Sequence, residues 1–364
     1  MTTRPEGGDA AYEARYWQLV DDGRVQCDLC PRECRLRDGQ RGFCFVRARE
    51  GDRLVLDTYG RSSGFCIDPI EKKPLAHFYP GSSVLSFGTA GCNLGCTFCQ
   101  NWDISKSREL DRLMERAGPV DIARTAIEWR CQSVAFTYND PVIFTEYAID
   151  VAATCRAIGV HTVAVTAGYV QGTARRDFFA VMDAANIDLK GFSDAFYHRQ
   201  TGARLRPVLD TILHVRHETD AWLELTTLVI PGHNDSEAAL LAMFRWCRSE
   251  LGPDVPHHLT AFHPDHRMRD VPRTPLDTLV RAREIAHDEG LHFVYTGNVD
   301  HPPGEVTTCS ACRYELIGRD RYAVSRYRVT PEGTCRRCGH PLPGRFAAGP
   351  GDFGRRRIPV TIRR

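Results

Sequence analysis

Cys92, Cys96 and Cys99 stand at C-x3-C-x2-C spacing in a Gly-rich stretch, VLSFGTAGCNLGCTFCQNW, running from Val84 to Trp102. Thiolates this close in sequence can converge on one soft metal centre. They supply three ligands where a closed structural site takes four, so an iron held here keeps a position open to substrate or cofactor. The non-chemical alternative is a zinc knuckle or three packed core cysteines, and a three-thiolate loop makes a poor structural zinc site. The loop follows a short apolar run, Val84 to Phe87, which reads as a buried strand.

Two further cysteine groups flank this one. Near the N-terminus Cys27, Cys30, Cys34 and Cys44 form C-x2-C-x3-C-x9-C. Four thiolates can close a tetrahedral site, and a metal substitutes for the core that so short a module cannot bury. Zinc and a second iron-sulfur cluster both accept four thiolates, so the spacing leaves the metal open. Near the C-terminus Cys309, Cys312, Cys335 and Cys338 form C-x2-C-x22-C-x2-C, a zinc-ribbon signal with a rubredoxin-like iron site as the alternative. The intervening YELIGRDRYAVSRYRV has the β-branched and aromatic content of a hairpin. Its arginines, with their neighbours (Arg313, Arg319, Arg321, Arg326, Arg328, Arg336, Arg337), read as a solvated face or as a contact for RNA or an acidic partner. The tail GPGDFGRRRIPVTIRR reads as basic and mobile.

Between Val84 and about Gly297, strand-like and helix-like runs alternate, the signature of βα units around a parallel sheet. Strands are expected at Val84–Phe87, Ser133–Tyr138, His161–Thr166, Ile187–Leu189, Leu223–Ile230, His258–Phe262 and Leu291–Tyr295. Helices are expected at Asp121–Arg130, Ile143–Ala157, Ser236–Glu250 and Pro275–Asp288, with Gly159, Gly252 and Gly290 as stops. This α/β pattern suits a complete or partial barrel, and a doubly wound sheet shares it. In parallel barrels chemistry gathers where strands end. The polar strand ends here are TYNDP (Thr137–Pro141), VTAGYV around Thr166, DLKG with Asp188 and Lys190, PGHND with Asn234 and Asp235, and FHPDH with His263. Upstream, DPIEKKPLAHFYP (Asp68–Pro80) reads as a connector whose Lys72 and Lys73 are solvated.

The chain has 364 residues, with 47 basic against 46 acidic, so no global charge argument points to nucleic acid or a membrane surface. MTTRPEGGDAAYEARYW lacks the apolar core of a signal peptide, and no apolar run reaches membrane-spanning length. Fifteen cysteines without a secretory signal favour metal ligation over disulfides and a cytoplasmic location.

The GCNLGCTFCQNW segment resembles the cluster-binding loop of the radical S-adenosylmethionine (SAM) superfamily, with Phe98 in its aromatic position. More narrowly it resembles the SAM enzyme of the AmmeMemoRadiSam system, a relative of pyruvate formate-lyase activating enzymes; CPREC and GFC in the N-terminal block share that resemblance. The resemblance implies a partial (β/α)6 TIM-type barrel and a [4Fe-4S] cluster on Cys92, Cys96 and Cys99. SAM would chelate the fourth iron, and reductive cleavage would yield a 5'-deoxyadenosyl radical that abstracts hydrogen from an unknown substrate. It further implies that Phe98 packs near adenine, and that Tyr138, Asn139 and Asp140 hold the SAM amino group. Lys190, beside Asp188, would face the SAM carboxylate, Thr166 lies at the mouth, and His263 lies near the ribose or carboxylate. Each has a structural alternative: an Asx-type turn before Pro141, an internal Asp188–Lys190 pair, a capping role for Asn234 and Asp235. Activases of glycyl radical enzymes usually carry an acidic residue just before Thr166, where this chain has Val165. Partners implied are an electron donor such as ferredoxin or flavodoxin, and Memo-like and AMMECR1-like proteins. The expected organisation is an N-terminal four-cysteine module and connector (1–75), the radical SAM core (76–300), and a zinc-ribbon-like module with a basic tail (301–364). The alternatives to a radical SAM enzyme of unknown substrate are a glycyl radical enzyme activase acting on a partner protein, and a non-catalytic metal-binding or RNA-binding module.

Overall fold

The computed structural model describes residues 12–107 and 115–362; residues 1–11 of the N-terminal stretch and 363–364 of the tail lie outside them. Nine strands build the central sheet: β1 (Phe65–Pro69), β2 (Ser83–Phe87), β3 (Ser133–Phe136), β4 (His161–Thr166), β5 (Ala184–Asp188), β6 (Trp222–Val229), β7 (His257–Ala261), β8 (Val294–Gly297) and β9 (Ile358–Val360). Their spatial order is β8-β7-β6-β5-β4-β3-β2-β1-β9. Strands β2 to β8 run parallel, and β1 and β9 are antiparallel additions at one edge. Parallel strands need helical crossovers, which cover the sheet and explain why a strand such as Ser133–Phe136 is buried throughout. The crossovers carry α1 (Pro119–Glu128), α2 (Thr145–Ala157), α3 (Gly172–Phe179), α4 (Leu205–Glu218), α5 (Glu237–Leu251) and α6 (Leu276–Asp288).

Each parallel strand lies beside its predecessor, so the order never reverses. A doubly wound sheet reverses at a switch point, and that architecture is thereby set aside. Local signals place several boundaries: Ser236 caps α5, its hydroxyl accepting from the Ala239 N–H at 3.3 Å, and Gly252 follows the last turn with φ +85°. Other boundaries differ. β5 begins at Ala184 rather than Ile187, because pairing with β4 and β6 extends an Ala-Ala-Asn start of weak intrinsic strand preference. Helices α3 and α4 fill two crossovers that the alternating pattern implies without giving their bounds.

The N-terminal segment forms two small antiparallel sheets, one from Tyr12–Glu13, Arg53–Leu56 and Arg47–Glu50, the other from Trp17–Leu19, Val25–Cys27 and Arg35–Leu36. A buried ion pair ties it to the core. Arg47, 1% exposed, donates to Glu146 of α2 and to the Ile143 carbonyl at 3.1 Å, while Glu146 also accepts the Arg15 N–H at 2.7 Å. With its hydrogen-bonding groups engaged, the pair offsets the desolvation of both charges.

The C-terminal segment forms a three-stranded antiparallel sheet, Thr307–Thr308, Glu315–Asp320 and Ala323–Tyr327, beside a four-cysteine group. Two expectations are corrected here. The tail is not loose: Ile358–Val360 pairs with β1. Arg319 does not belong to a solvated face, since its side chain is 5% exposed and lies 3.7 Å from Glu71. No helix among the described residues is long and apolar enough to cross a membrane.

Replacing Arg47 by Ala leaves Glu146 buried without its cation. We expect a loss of about 3–5 kcal/mol in chemical denaturation; a loss below about 1 kcal/mol would show that the pair does not fasten the N-terminal segment to the core.

Candidate radical SAM site

The loop after β2 is held by close backbone approaches and one amide. At Gly88 a Cβ would fall 2.4 Å from the Thr137 carbonyl, and at Gly91 (φ +81°) one would fall 2.1 Å from the Cys44 carbonyl. Only glycine fits either place. Asn139 laces the same segment: its Oδ1 accepts the Thr89 N–H at 3.0 Å, and its Nδ2 donates to the Gly91 carbonyl at 2.8 Å and the Ala90 carbonyl at 3.3 Å. The loop delivers Cys92, Cys96 and Cys99 to the wall of a cavity of about 1460 Å³. Cys92 Sγ accepts the Leu94 N–H at 3.4 Å, and the Ser105 hydroxyl lies 3.0 Å from Cys99 Sγ. Burial pushes the Cys92 thiol up to about 12 and raises that of Cys96, so thiolates here call for a positive partner such as a metal centre.

The strand ends named from the sequence meet on this cavity. Asp140, 5% exposed, caps the turn Pro141–Phe144 through the Val142 N–H at 3.2 Å, which realises the Asx-type reading. The same carboxylate faces the cavity and accepts from Thr166 Oγ1 at 2.8 Å and the Ala167 N–H at 3.3 Å. Burial raises its pKa to about 6 against the bonds that favour its anion. Lys190 Nζ donates to Asp188 at 2.7 Å and lies 5.9 Å from the Phe98 ring centroid. Burial opposes the Lys190 charge, but Asp188 and the Cys96 sulfur outweigh it and hold the group protonated. Phe98, Thr166, Asp188 and Lys190 all line the cavity. His263 is not among the lining residues: its side chain is 51% exposed, with Nδ1 2.9 Å from Gln100 Nε2. Asn234 laces β6 to β5, donating to the Lys190 carbonyl at 2.8 Å, and Asp235 accepts the Gly232 N–H at 2.8 Å; the helix cap itself is Ser236.

Asp68, Tyr322 and Arg357 carried no sequence signal; Asp68 does not itself line the cavity, but its partners Lys72, Lys73 and Tyr138 do. Asp68 of β1 bonds Lys73 at 2.8 Å, Lys72 at 3.3 Å and the Tyr138 hydroxyl at 2.9 Å. Lys73 is buried, which corrects its reading as solvated, while the Lys72 side chain stays 33% exposed. Burial lowers the Lys73 pKa; at Asp68 burial works the other way, and the two lysines hold its carboxyl below the usual carboxylate range. Tyr138, at φ +71°, brings its ring within 4.9 Å of Lys73 Nζ. Arg319, Arg321 and Tyr322 from the C-terminal segment and Arg357 before β9 complete the far wall. A cavity of this volume exceeds the roughly 300–1,000 Å³ that holds one small ligand.

Asn139→Ala removes the lacing of the cysteine loop while leaving the sheet intact. We expect iron uptake by the loop to weaken about 10–100-fold, measured by iron titration alongside circular dichroism; unchanged uptake would show that the loop is set by its glycines alone.

The profile of the radical SAM superfamily matches residues 87–244. Over 326 residues the chain is 38% identical to an uncharacterized protein of Methanocaldococcus jannaschii, MJ0808, covering 90% of this chain and 96% of that one. It is 29% identical over 118 residues to the 4-hydroxyphenylacetate decarboxylase activating enzyme of Clostridioides difficile, covering 32% and 37% of the two chains. It is 25% identical over 153 residues to the pyruvate formate-lyase-activating enzyme of Clostridium pasteurianum, covering 40% and 62%. The matched region begins at the end of β2 and takes in the cysteine loop, Asp140, Thr166 and Lys190. The chain belongs to the radical SAM superfamily.

Proposed function

We propose that the chain holds a [4Fe-4S] cluster on Cys92, Cys96 and Cys99, binds SAM in the adjoining cavity and cleaves it reductively, with an unknown substrate as the hydrogen donor. The observation that carries this reading is a three-cysteine loop opening into a cavity that also presents Asp140, Thr166 and Lys190. When bound, this cofactor pair supplies one-electron cleavage of the sulfonium and the resulting 5'-deoxyadenosyl radical. The donor set fits: three sulfurs held by the loop, and Lys190 and Lys106 offsetting negative charge at Cys96.

Asp140 is the acceptor for an N–H of the SAM amino group, and Thr166 fixes the orientation of the Asp140 carboxylate. Lys190 gives a charge-assisted bond to the SAM carboxylate, aligned by Asp188. Phe98 offers a face to adenine, Asn139 holds the cysteine loop beside the amino-group subsite, and Tyr138, bonded to Asp68, belongs to the far end. The far end, around Asp68, Lys72 and Lys73, is left for the substrate. We read the sheet as the partial (β/α)6-type barrel of the family: its strand order is monotonic, and crossovers of the usual right-handed sense would put the helices on one face and leave the other to the cavity. The 3.7 and 3.8 Å sulfur separations of the C-terminal cysteines match about 3.8 Å, the edge of a tetrahedron with metal–sulfur bonds of about 2.3 Å, and we assign zinc to them on their paired C-x2-C ribbon spacing. All fifteen cysteines are free of disulfides, in keeping with a cytoplasmic location.

A second reading is activation of a glycyl radical protein, favoured by the partial likeness to two activating enzymes. Val165, apolar and on the cavity wall, departs from the acidic residue that such enzymes carry there. A ferredoxin- or flavodoxin-type donor fits either reading, as do Memo-like and AMMECR1-like partners.

After anaerobic reconstitution with iron and sulfide, SAM plus reductant is expected to give 5'-deoxyadenosine in the wild type and none in Cys92→Ala, while Cys309→Ala keeps the activity at reduced stability. No product from the wild type would sink the proposal.

A pH dependence follows from Asp140. Its folded pKa is raised from 3.8 to about 6, so its contribution to stability is full below the unfolded value and is lost as pH rises through 6. The anion is the stronger acceptor for the SAM amino N–H, so affinity should rise over the same window, and Asp140→Asn should flatten the profile. Calorimetric SAM titrations from pH 5 to 8 check this, and an equally steep profile in the variant would rule out Asp140 as the acceptor.

A further inference from the structure

The N-terminal cysteines are gathered at one place. Gly42 stands between two of them, and a Cβ there would lie 3.8 Å from both Cys34 Sγ and Cys44 Sγ. Cys30 feels the charges of Cys27, Cys34 and Cys44. Cys34 Sγ accepts the Phe43 N–H at 3.5 Å, and the backbone N–H groups of Leu29, Arg32, Val46 and Arg47 favour the thiolate forms of Cys27, Cys30 and Cys44. Such donors stabilise thiolate ligands, and the buried Arg47 guanidinium adds positive charge beside Cys27 and Cys44.

The two four-cysteine groups differ in spread. Among the described residues, Cys309, Cys312, Cys335 and Cys338 are the one set of three or more ligating side chains whose ligand atoms all lie within 4.8 Å of one another. That compactness suits a single ion. The N-terminal four converge without reaching it, as do Cys92, Cys96 and Cys99, and thiolates that each bind a different iron of a polynuclear cluster must stand farther apart than thiolates sharing one ion.

The N-terminal group also abuts the cysteine loop. The Cys44 carbonyl occupies the space a side chain at Gly91 would need, one residue before Cys92. Arg32, between Cys30 and Cys34, donates through Nε to the Asn93 carbonyl, and Phe43 Cζ lies 3.6 Å from where a Cβ at Gly95 would stand.

We propose that Cys27, Cys30, Cys34 and Cys44 ligate a second, polynuclear iron-sulfur cluster, docked by backbone contact against the loop that carries Cys92. Its place as an electron-entry point rests on the radical SAM reading; the site itself does not. In that role it accepts one electron from a reduced ferredoxin- or flavodoxin-class donor, which is oxidised, and passes it to the first site without making or breaking a bond.

The test uses the full chain with Cys92, Cys96 and Cys99 all changed to Ala, reconstituted anaerobically with iron and sulfide. The variant should retain about four iron and four acid-labile sulfides per chain, against about eight of each in the wild type. Dithionite-reduced wild type should show a spin-coupled, broadened EPR signal that becomes a simple one in the variant. No acid-labile sulfide in a folded variant that carries zinc in excess of its C-terminal site would overturn the second cluster. Two uncoupled signals in the wild type would overturn the docking. Failure of SAM cleavage in a wild type whose variant keeps its sulfide would strike the catalytic reading alone.

Discussion

Seven strands running in one direction bring their carboxyl ends to one rim, and the site depends on that shared polarity. The end of β2 supplies the cysteines, the end of β3 Asp140, the end of β4 Thr166, and the end of β5 Asp188 and Lys190. One antiparallel strand among them would carry its polar end to the opposite rim. The rim alone does not make a metal loop, since a Gly-rich segment has too many conformations to hold three sulfurs in place. Asn139 removes that freedom. Its one amide engages three consecutive residues of the loop, so the strand end next to the cluster loop acts as its clamp.

The parallel strands and the cysteine groups were legible because they obey local rules: apolar runs of strand length between helical stretches, and thiols at ligand spacing. Helix stops at Gly159, Gly252 and Gly290 were legible for the same reason, each glycine taking a positive φ just past its helix. β1 was not. FCIDP runs into a Pro-punctuated connector, and its identity as a strand comes from pairing with β2, a contact no local pattern announces. β9 is subtler still, three residues containing a proline, tolerated because β9 is an edge strand.

Within the site, residue types were legible and working roles less so. Asp140 satisfies both readings of its motif, capping a turn and facing the cavity with the same carboxylate. Lys190 likewise is both a structural partner of Asp188 and a cavity residue. Lys73 misled because a lysine in a Pro-rich connector is ordinarily solvated; here Asp68, five residues earlier, folds back to pair with it. The wall built by Arg319, Arg321 and Arg357 joins segments far apart in the chain, and charge composition carries no record of such a meeting.

The strand Ile358–Val360 sets an order of assembly. Until residue 360 has been made, β1 presents an unpaired edge, and exposed edges are templates for pairing with other chains. Between the making of β1 and of residue 360 the nascent chain carries an open edge, and the cavity lacks the wall formed by Arg357 and Val360 over the same interval. Access to the cavity and protection of the edge thus trade off over that interval, because the same short segment closes both. A short, proline-bearing last strand suits that compromise, closing the edge late with few hydrogen bonds to form and presenting little further edge of its own.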